Sequence, residues 1–287
     1  MTTRPDEPPD RGRQGSEHWS ERRSIWDRIP SGISVTLLAA CIVGIWQLAV
    51  SLDWVSEFVL PPPGDVARAT WDATKDLLTG GVVWENFSVT ARETLLGFLL
   101  AAVAGIVFGV IVAETAFGRR VLLPFLVAFY AAPKVAFAPL FVAWFGFGLT
   151  PKIVMAAVIA FFPLFVDTAA GLSNLDENKD KLFRSLRASR MTTLFKLKLP
   201  NALPFIFAGL KTAAVLSVIG AIVAEFMGGG QGLGAQLRVA TSQLALDRVF
   251  AYVIILSVMA TAFYVLVDLL ERRIVFWRKP GFLPVER

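Results

Sequence analysis

Thr94-Leu-Leu-Gly-Phe-Leu-Leu-Ala-Ala-Val-Ala-Gly-Ile-Val-Phe-Gly-Val-Ile-Val-Ala113 runs for twenty residues without a charged side chain. As a helix rising about 1.5 Å per residue it is about 30 Å long, which matches the hydrocarbon thickness of a bilayer. A surface helix of a soluble protein carries a polar stripe; this one is apolar all round, so its neighbours are lipid or other apolar helices. Gly105 and Gly109 stand four apart on one face, a spacing that admits a second helix at short distance.

Working outward, comparable runs occur at 31–52, 121–147, 152–172, 203–226 and 249–267. Over all 287 residues 55% are hydrophobic and 18% charged, against about 25% charged in an ordinary soluble domain. The chain therefore reads as all-α: a polytopic transmembrane bundle of about six spans over 31–273, with a flexible tail at 1–30 and a short one at 274–287. The run from Val121 to Thr150 is interrupted by Pro133 and Lys134. One long tilted helix with a proline kink is the simplest form, although a broken or re-entrant segment uses the same prolines. Cys41 and His18 are the only residues of their types, so no disulfide and no Cys- or His-based metal site is expected. Cys41, inside the first run, reads as a small buried hydrophobe.

The basic residues decide what the net charge of +5 means. With the amino terminus in the cytoplasm, 20 Lys and Arg fall on that side and 6 on the other, seven of the 20 within 173–200. That bias predicts both termini and the 173–200 loop facing the cytoplasm. It also accounts for the basic balance through orientation and anionic lipid, with no nucleic acid partner required. The 53–93 loop on the other side carries seven acidic residues. Its stretch from Gly64 to Leu78 reads as a short interfacial helix with Val66, Ala69, Ala73 and Leu77 on one side.

The 173–200 loop contains Ser173-Asn-Leu-Asp-Glu177 and then Asn-Lys-Asp-Lys-Leu-Phe-Arg-Ser-Leu-Arg-Ala-Ser189. Asn174 with Glu177 three residues on reads as a capping box. Acidic residues come early and Lys181, Arg184, Arg187 and Arg190 late, the polarity a helix dipole favours. Leu182, Phe183 and Leu186 supply an apolar face. Such a helix either rests among headgroups or inserts its apolar face into a groove on a cytoplasmic protein. Pro200 and Pro204 follow, and their fixed φ would transmit motion of the loop into the next span more rigidly than a flexible linker.

Here the chain resembles the binding-protein-dependent, ATP-driven importer permeases, in the branch of sulfonate, taurine, nitrate and thiamine-precursor permeases. The family's cytoplasmic Glu-Ala-Ala falls on Lys181-Leu182-Phe183, its Gly on Arg187 and its Pro on Pro200. Further similar stretches are Val59-Leu-Pro-Pro-Pro-Gly64, Glu93-Thr-Leu-Leu-Gly-Phe98, Ala132-Pro-Lys-Val-Ala-Phe-Ala-Pro-Leu-Phe141, Gly209-Leu-Lys211 and Val218-Ile-Gly-Ala-Ile-Val-Ala-Glu225. The sequence departs from the pattern at Lys181 and Arg187. Loss of the glycine argues against a sharp turn at 187 and for an ATPase contact framed by charge.

The resemblance implies a type I importer permease fold in the inner membrane and a non-catalytic permease subunit. It further implies two ATPase subunits, an extracytoplasmic solute-binding protein and a second permease copy, expected to be identical. ATP and Mg²⁺ belong to the ATPase, and this chain binds no cofactor. Coupling residues are Lys181, Leu182, Phe183, Leu186, Arg187, Arg190 and Pro200. The solute is expected to be small and polar, such as a pyrimidine thiamine precursor, a sulfonate or nitrate. The Pro-Lys-Val-Ala-x-Ala-Pro-Leu-Phe and Leu-Lys stretches look nearest to thiamine-precursor permeases.

Charges within spans are costly unless paired or facing a cavity, which singles out Lys134, Lys211 and Glu225 as pathway or interhelical residues. Snorkelling to an interface is the alternative for Lys134. Asp167 reads as an anchor near a helix end. Gly228-Gly-Gly-Gln-Gly-Leu-Gly234 lacks the Gly-Lys-Ser/Thr of a phosphate loop and reads as an outer hinge or turn. The rival function is an ion-coupled secondary transporter, which calls for mid-span ionisable residues and internal repeats; Lys134 alone is central and no repeat is evident. A membrane enzyme is disfavoured because no His, Cys or carboxylate cluster faces one side.

Overall fold

The computed structural model describes residues 31–56, 59–228 and 230–277, and every regular element among them is helical. The tail expected at 1–30 lies outside the described residues, as do residues 278–287 of the one expected at 274–287. Two units are delimited, one ending at Trp54 and one beginning at Val55. The first contains α1 (Ser31–Ser51), apolar on all sides. Cys41, expected to be buried, is exposed on it; an apolar side chain on a lipid-facing helix needs no protein cover.

In the second unit α2 (Pro63–Thr79) begins on a proline, where the missing N–H would have had no helical partner. It stops at Gly80, whose φ of 81° lies in the left-handed region. Val66, Ala73 and Leu77 of α2 face the protein, the last two against Val83, Leu233, Ile255 and Leu256. α3 (Val82–Glu114) follows and runs past the apolar stretch on its amino-terminal side by twelve residues. The apolar run stops at Glu93 because a lone carboxylate is costly in lipid, whereas the helix continues because tertiary partners meet its polar residues.

The expected single tilted span over 121–147 is broken. A wide π-type turn at Gly118–Leu122 leads into α4 (Leu123–Ala131), and a 3₁₀ turn at Lys134–Phe137 leads into α5 (Ala138–Phe145). The two arms meet at 88°. Pro133 has no N–H to continue the ladder, and Ala132 before it is extended at φ −66°, ψ 144°, the conformation a following proline imposes. Gly146 and Gly148, both at positive φ, turn the chain into α6 (Leu149–Ser173).

α7 (Glu177–Ser185) and α8 (Arg190–Thr193) form the basic island. A second wide turn at Leu194–Lys198 joins α8 to α9 (Leu199–Gly228), and the rod is continuous from Arg190 to Gly228. Both wide turns are followed by Leu-Pro, Leu123-Pro124 and Leu199-Pro200. Widening the turn removes the clash between a proline ring and the carbonyl four residues back. α10 (Leu233–Ser242) and α11 (Leu246–Ile274) complete the chain.

Among the described residues, five helices are long and apolar enough to cross a membrane, or six if the bent pair counts as one span. α6 is sandwiched between α3 and α9. A Cβ added at Gly97 would lie 2.5 Å from that of Ala156, and one at Gly220 would lie 2.6 Å from the Cα of the same Ala156. Gly105 and Gly109 meet Leu164 and Thr168 of α6 in the same way. Lipid tails are as apolar as leucine, so this close backbone approach, with its dispersion contacts, is what makes the three helices associate.

Candidate functional site

Three groups of polar side chains stand out against the apolar bundle. The first is the basic island between α6 and α9. Its helix is capped by Asp176, whose side chain accepts from the Asn178 N–H at 2.8 Å. The expected cap, Asn174, instead ends α6, and its carbonyl accepts from Asn201 at 2.9 Å. Lys181–Glu177 and Arg184–Asp180 pair at 2.9 and 2.6 Å along the exposed surface, each adding only a few tenths of a kcal/mol.

The expectation of no sharp turn at 187 is overturned. The Ala188 N–H reaches the Phe183 carbonyl at 3.1 Å and the Arg187 N–H reaches that of Arg184 at 3.0 Å, the two bonds of a Schellman cap. Arg187 occupies the left-handed position at φ 49°. Two backbone hydrogen bonds hold the turn without the glycine that usually makes it cheap. Leu182 and Leu186 are 56% and 69% exposed, Phe183 is half-buried, and Arg190 opens α8 behind the Ser189 cap. Pro200 lies at the start of α9, and beside it Lys198 pairs with Glu114 at the end of α3, 2.7 Å apart.

The second group lies at the opposite end of the bundle, where α3 starts and α9 stops. Glu225 accepts from the Thr90 hydroxyl and from the Gly234 N–H, each at 2.6 Å. Thr90 also accepts from the Leu233 N–H at 2.9 Å, and Asn86 Oδ1 accepts from the Gly232 N–H at 2.8 Å. Three successive amides of the glycine-rich turn are thus held by side chains of α3 and α9. Lys152, in the first turn of α6, has Nζ 2.9 Å from Glu93 Oε1 and donates to the Gln231 carbonyl at 2.7 Å.

The Lys152–Glu93 contact is a buried charge pair. Glu93, Thr90 and Glu225 have no exposed surface. A cleft of about 580 Å³ opens over this clamp, lined by Glu93, Lys152, Phe147, Gly148 and Gln231 among others.

The third group comprises the remaining charges in the spans. Lys211 of α9 lies 3.2 Å from Asp268 and 2.6 Å from Glu271, both on α11. Asp167 is half-buried on the side of α6 facing α9, its Cβ 3.1 Å from where a Cβ on Gly209 would be. Lys134 sits at the break between the α4 and α5 arms.

Sequence reasoning singled out Glu225 but missed Lys152, Glu93, Thr90 and Asn86. The available signal was the spacing Asn86, Thr90, Glu93, which places three polar side chains on one face of a helix.

Long apolar helices, a bent pair and a basic island between two of the core helices define a polytopic membrane bundle. Residues 105–276 match the family described as the binding-protein-dependent transport system inner membrane component. The chain is 34% identical to the riboflavin transport system permease protein RibX of Chloroflexus aurantiacus, covering 90% of this chain and 93% of that one. It is 33% identical to the putative aliphatic sulfonates transport permease protein SsuC of Bacillus subtilis, over 84% and 86%. It is 30% identical to the formylaminopyrimidine transport permease protein ThiX of Halalkalibacterium halodurans, over 85% and 95%.

Among solved structures, the inward-facing MetNI methionine ABC transporter superposes with a TM-score of 0.54 at 20% identity, covering 69% of this chain and 95% of that one. The chain belongs to the binding-protein-dependent ABC transporter permease family. It is a non-catalytic, multi-pass inner-membrane subunit of an importer, a role that implies an ATPase and a binding protein as partners.

Proposed function

We propose that this permease carries a small polar solute inward, with the basic island and both termini in the cytoplasm and the clamp at the outer end. Two ATPase subunits, which bind the ATP and Mg²⁺, grip the island through Leu182, Phe183 and Leu186. Lys181, Arg187 and Arg190 frame that contact, and Pro200 passes its motion into α9. A second, identical permease copy encloses the pathway, in keeping with the prevalence of two-fold symmetric assemblies. The binding protein delivers the solute over the outer cleft, and sulfonates, nitrate and pyrimidine thiamine precursors are the candidate solutes.

The observation that carries this reading is the exposure of Leu182 on the highly charged α7 and of Leu186 at its carboxyl cap, beside a rod continuous to the far end of the bundle. Exposed leucines on such a helix fit an apolar groove on a partner. Because Leu186 is 69% exposed, Leu186→Asp leaves the fold intact and is expected to abolish co-purification of the ATPase. Unchanged association would refute the docking role. Uptake into vesicles that lack the ATPase would establish the ion-coupled rival instead.

A further inference from the structure

Lys134 is the one charged residue of 121–150 and Asp167 the one of 153–175. They have opposite charge, and both are half-buried in segments of spanning character. Charges there are costly unless paired, and Lys152, Lys198 and Lys211 each face a carboxylate. Among the described residues, no carboxylate lies within ion-pair distance of Lys134 and no cation within that distance of Asp167. Lys134 Nζ donates to the Tyr130 carbonyl at 2.9 Å and lies 4.2 and 5.1 Å from the centroids of the Tyr130 and Phe162 rings. Those groups orient an ammonium without neutralising it.

Within one chain the two lie on opposite flanks of α6. Lys134 stands over Phe162, whereas Asp167 is five residues on, about 140° further round at 3.6 residues per turn, beside Gly209 of α9. The arc between them is a ridge at helical spacing, Ile159, Pro163, Val166 and Ala170. Val166 is 49% exposed, Ala170 is exposed, and the other two are partly so. α1 has no charged residue to offer either flank.

Two copies inserted the same way round are related by a two-fold axis along the membrane normal. With that axis beside the ridge, α6 of one copy runs parallel to α6 of the other, and half a turn brings the Lys134 flank of each opposite the Asp167 flank of its mate. The axis also preserves depth. Asp167 lies about 7.5 Å along α6 from Phe162, its Cβ leans back toward Phe162, and the flexible lysine stem covers the remainder. The backbone interrupted at Ala132 and Pro133 also needs protein or a wet cavity against it, yet Tyr130 and Val135 beside it are 54% and 52% exposed.

We propose that two copies of this chain meet along the Ile159–Ala170 ridge of α6, and that Lys134 of each copy pairs with Asp167 of the other. The inference rests on the reading that the permease assembles as two identical copies, and it adds which surface joins them. Each copy holds one leftover charge of each sign, and an isologous contact neutralises both at once.

The test uses the permease co-expressed with its ATPase and binding protein, in a Cys41→Ser, Val166→Cys background, with a short bis-maleimide applied to membranes. Wild-type charges should give a cross-linked permease dimer. Lys134→Asp alone and Asp167→Lys alone should each lower its yield at least fivefold. Co-expressing those two single variants with different tags should restore a mixed dimer to within twofold of the original yield, because both cross-copy pairs are then of opposite sign while each chain alone carries two like charges. Rescue only when both changes sit in one chain, with no mixed dimer, overturns the proposal by assigning the pair to a single copy. Yields that ignore the charges overturn it too. The mass of the purified assembly separates the two readings: two permease copies without a Val166→Cys cross-link sink this surface alone, whereas a single copy sinks the two-copy reading with it.

Discussion

Thr90 and Glu225, 135 residues apart in the chain, are joined by a 2.6 Å hydrogen bond in a part of the protein with no exposed surface. The same hydroxyl accepts from the Leu233 N–H. Thr90→Val keeps the side-chain shape but strands a carboxylate oxygen and an amide. Each buried unsatisfied group costs about 1–3 kcal/mol, so a loss of about 3 kcal/mol is expected in denaturant unfolding of the purified protein. Thr90→Ser should stay near wild type. Combining Thr90→Val with Glu225→Ala should cost less than the two separately, because both remove one shared network; strict additivity would argue against the clamp acting as a unit.

Two glycines of the outer turn should respond differently to alanine. Gly230 has φ 85° with open space around its Cβ position, so Gly230→Ala carries only the left-handed penalty of about 1 kcal/mol. Gly232 has φ 117°, and its Cβ would fall on the Glu225 carboxylate. Gly232→Ala should therefore displace Glu225 and lower thermal stability far more than Gly230→Ala, as read by melting in detergent. Equal melting temperatures would contradict the arrangement.

Arg187 stands where a helix terminus prefers glycine. Arg187→Gly relieves the left-handed strain and should stabilise the turn by about 1 kcal/mol. Slower hydrogen exchange at the Ala188 amide, which bonds to Phe183, would report it. Arg187→Val, β-branched at positive φ, should accelerate that exchange.

Lys211 holds Asp268 and Glu271 of α11 to α9. Lys211→Met leaves two carboxylates side by side. Full burial of an unpaired charge costs about 3–5 kcal/mol. These side chains are 14–22% exposed, so about 2–3 kcal/mol is expected after allowing for solvent. Adding Asp268→Asn should recover part of the loss in the same unfolding measurement.

The all-helical class, the membrane setting and the family were legible in the sequence because each rests on local or additive signals. Twenty uncharged residues from Thr94 report their solvent wherever they lie in the fold, and a motif ending at Pro200 is read by spacing alone. The broken span was less legible: Pro133 marks an interruption, but the 88° angle between its arms depends on what α4 and α5 pack against. Arg187 shows the converse failure, where a missing glycine argued against a turn that backbone hydrogen bonds nevertheless make.

The clamp lay beyond reach for a related reason. Whether Glu93 and Lys152 are loop charges or a buried pair depends on α3, α6 and α9 meeting, and no property of either residue's neighbourhood in the chain encodes that meeting. The amino-acid sequence by itself determined that this chain lives in lipid and belongs to an importer. Only the tertiary structure decided which of its charges are neutralised and which, at Lys134, meets no carboxylate among the described residues, because ion pairing acts over a few ångströms of space between residues far apart in sequence.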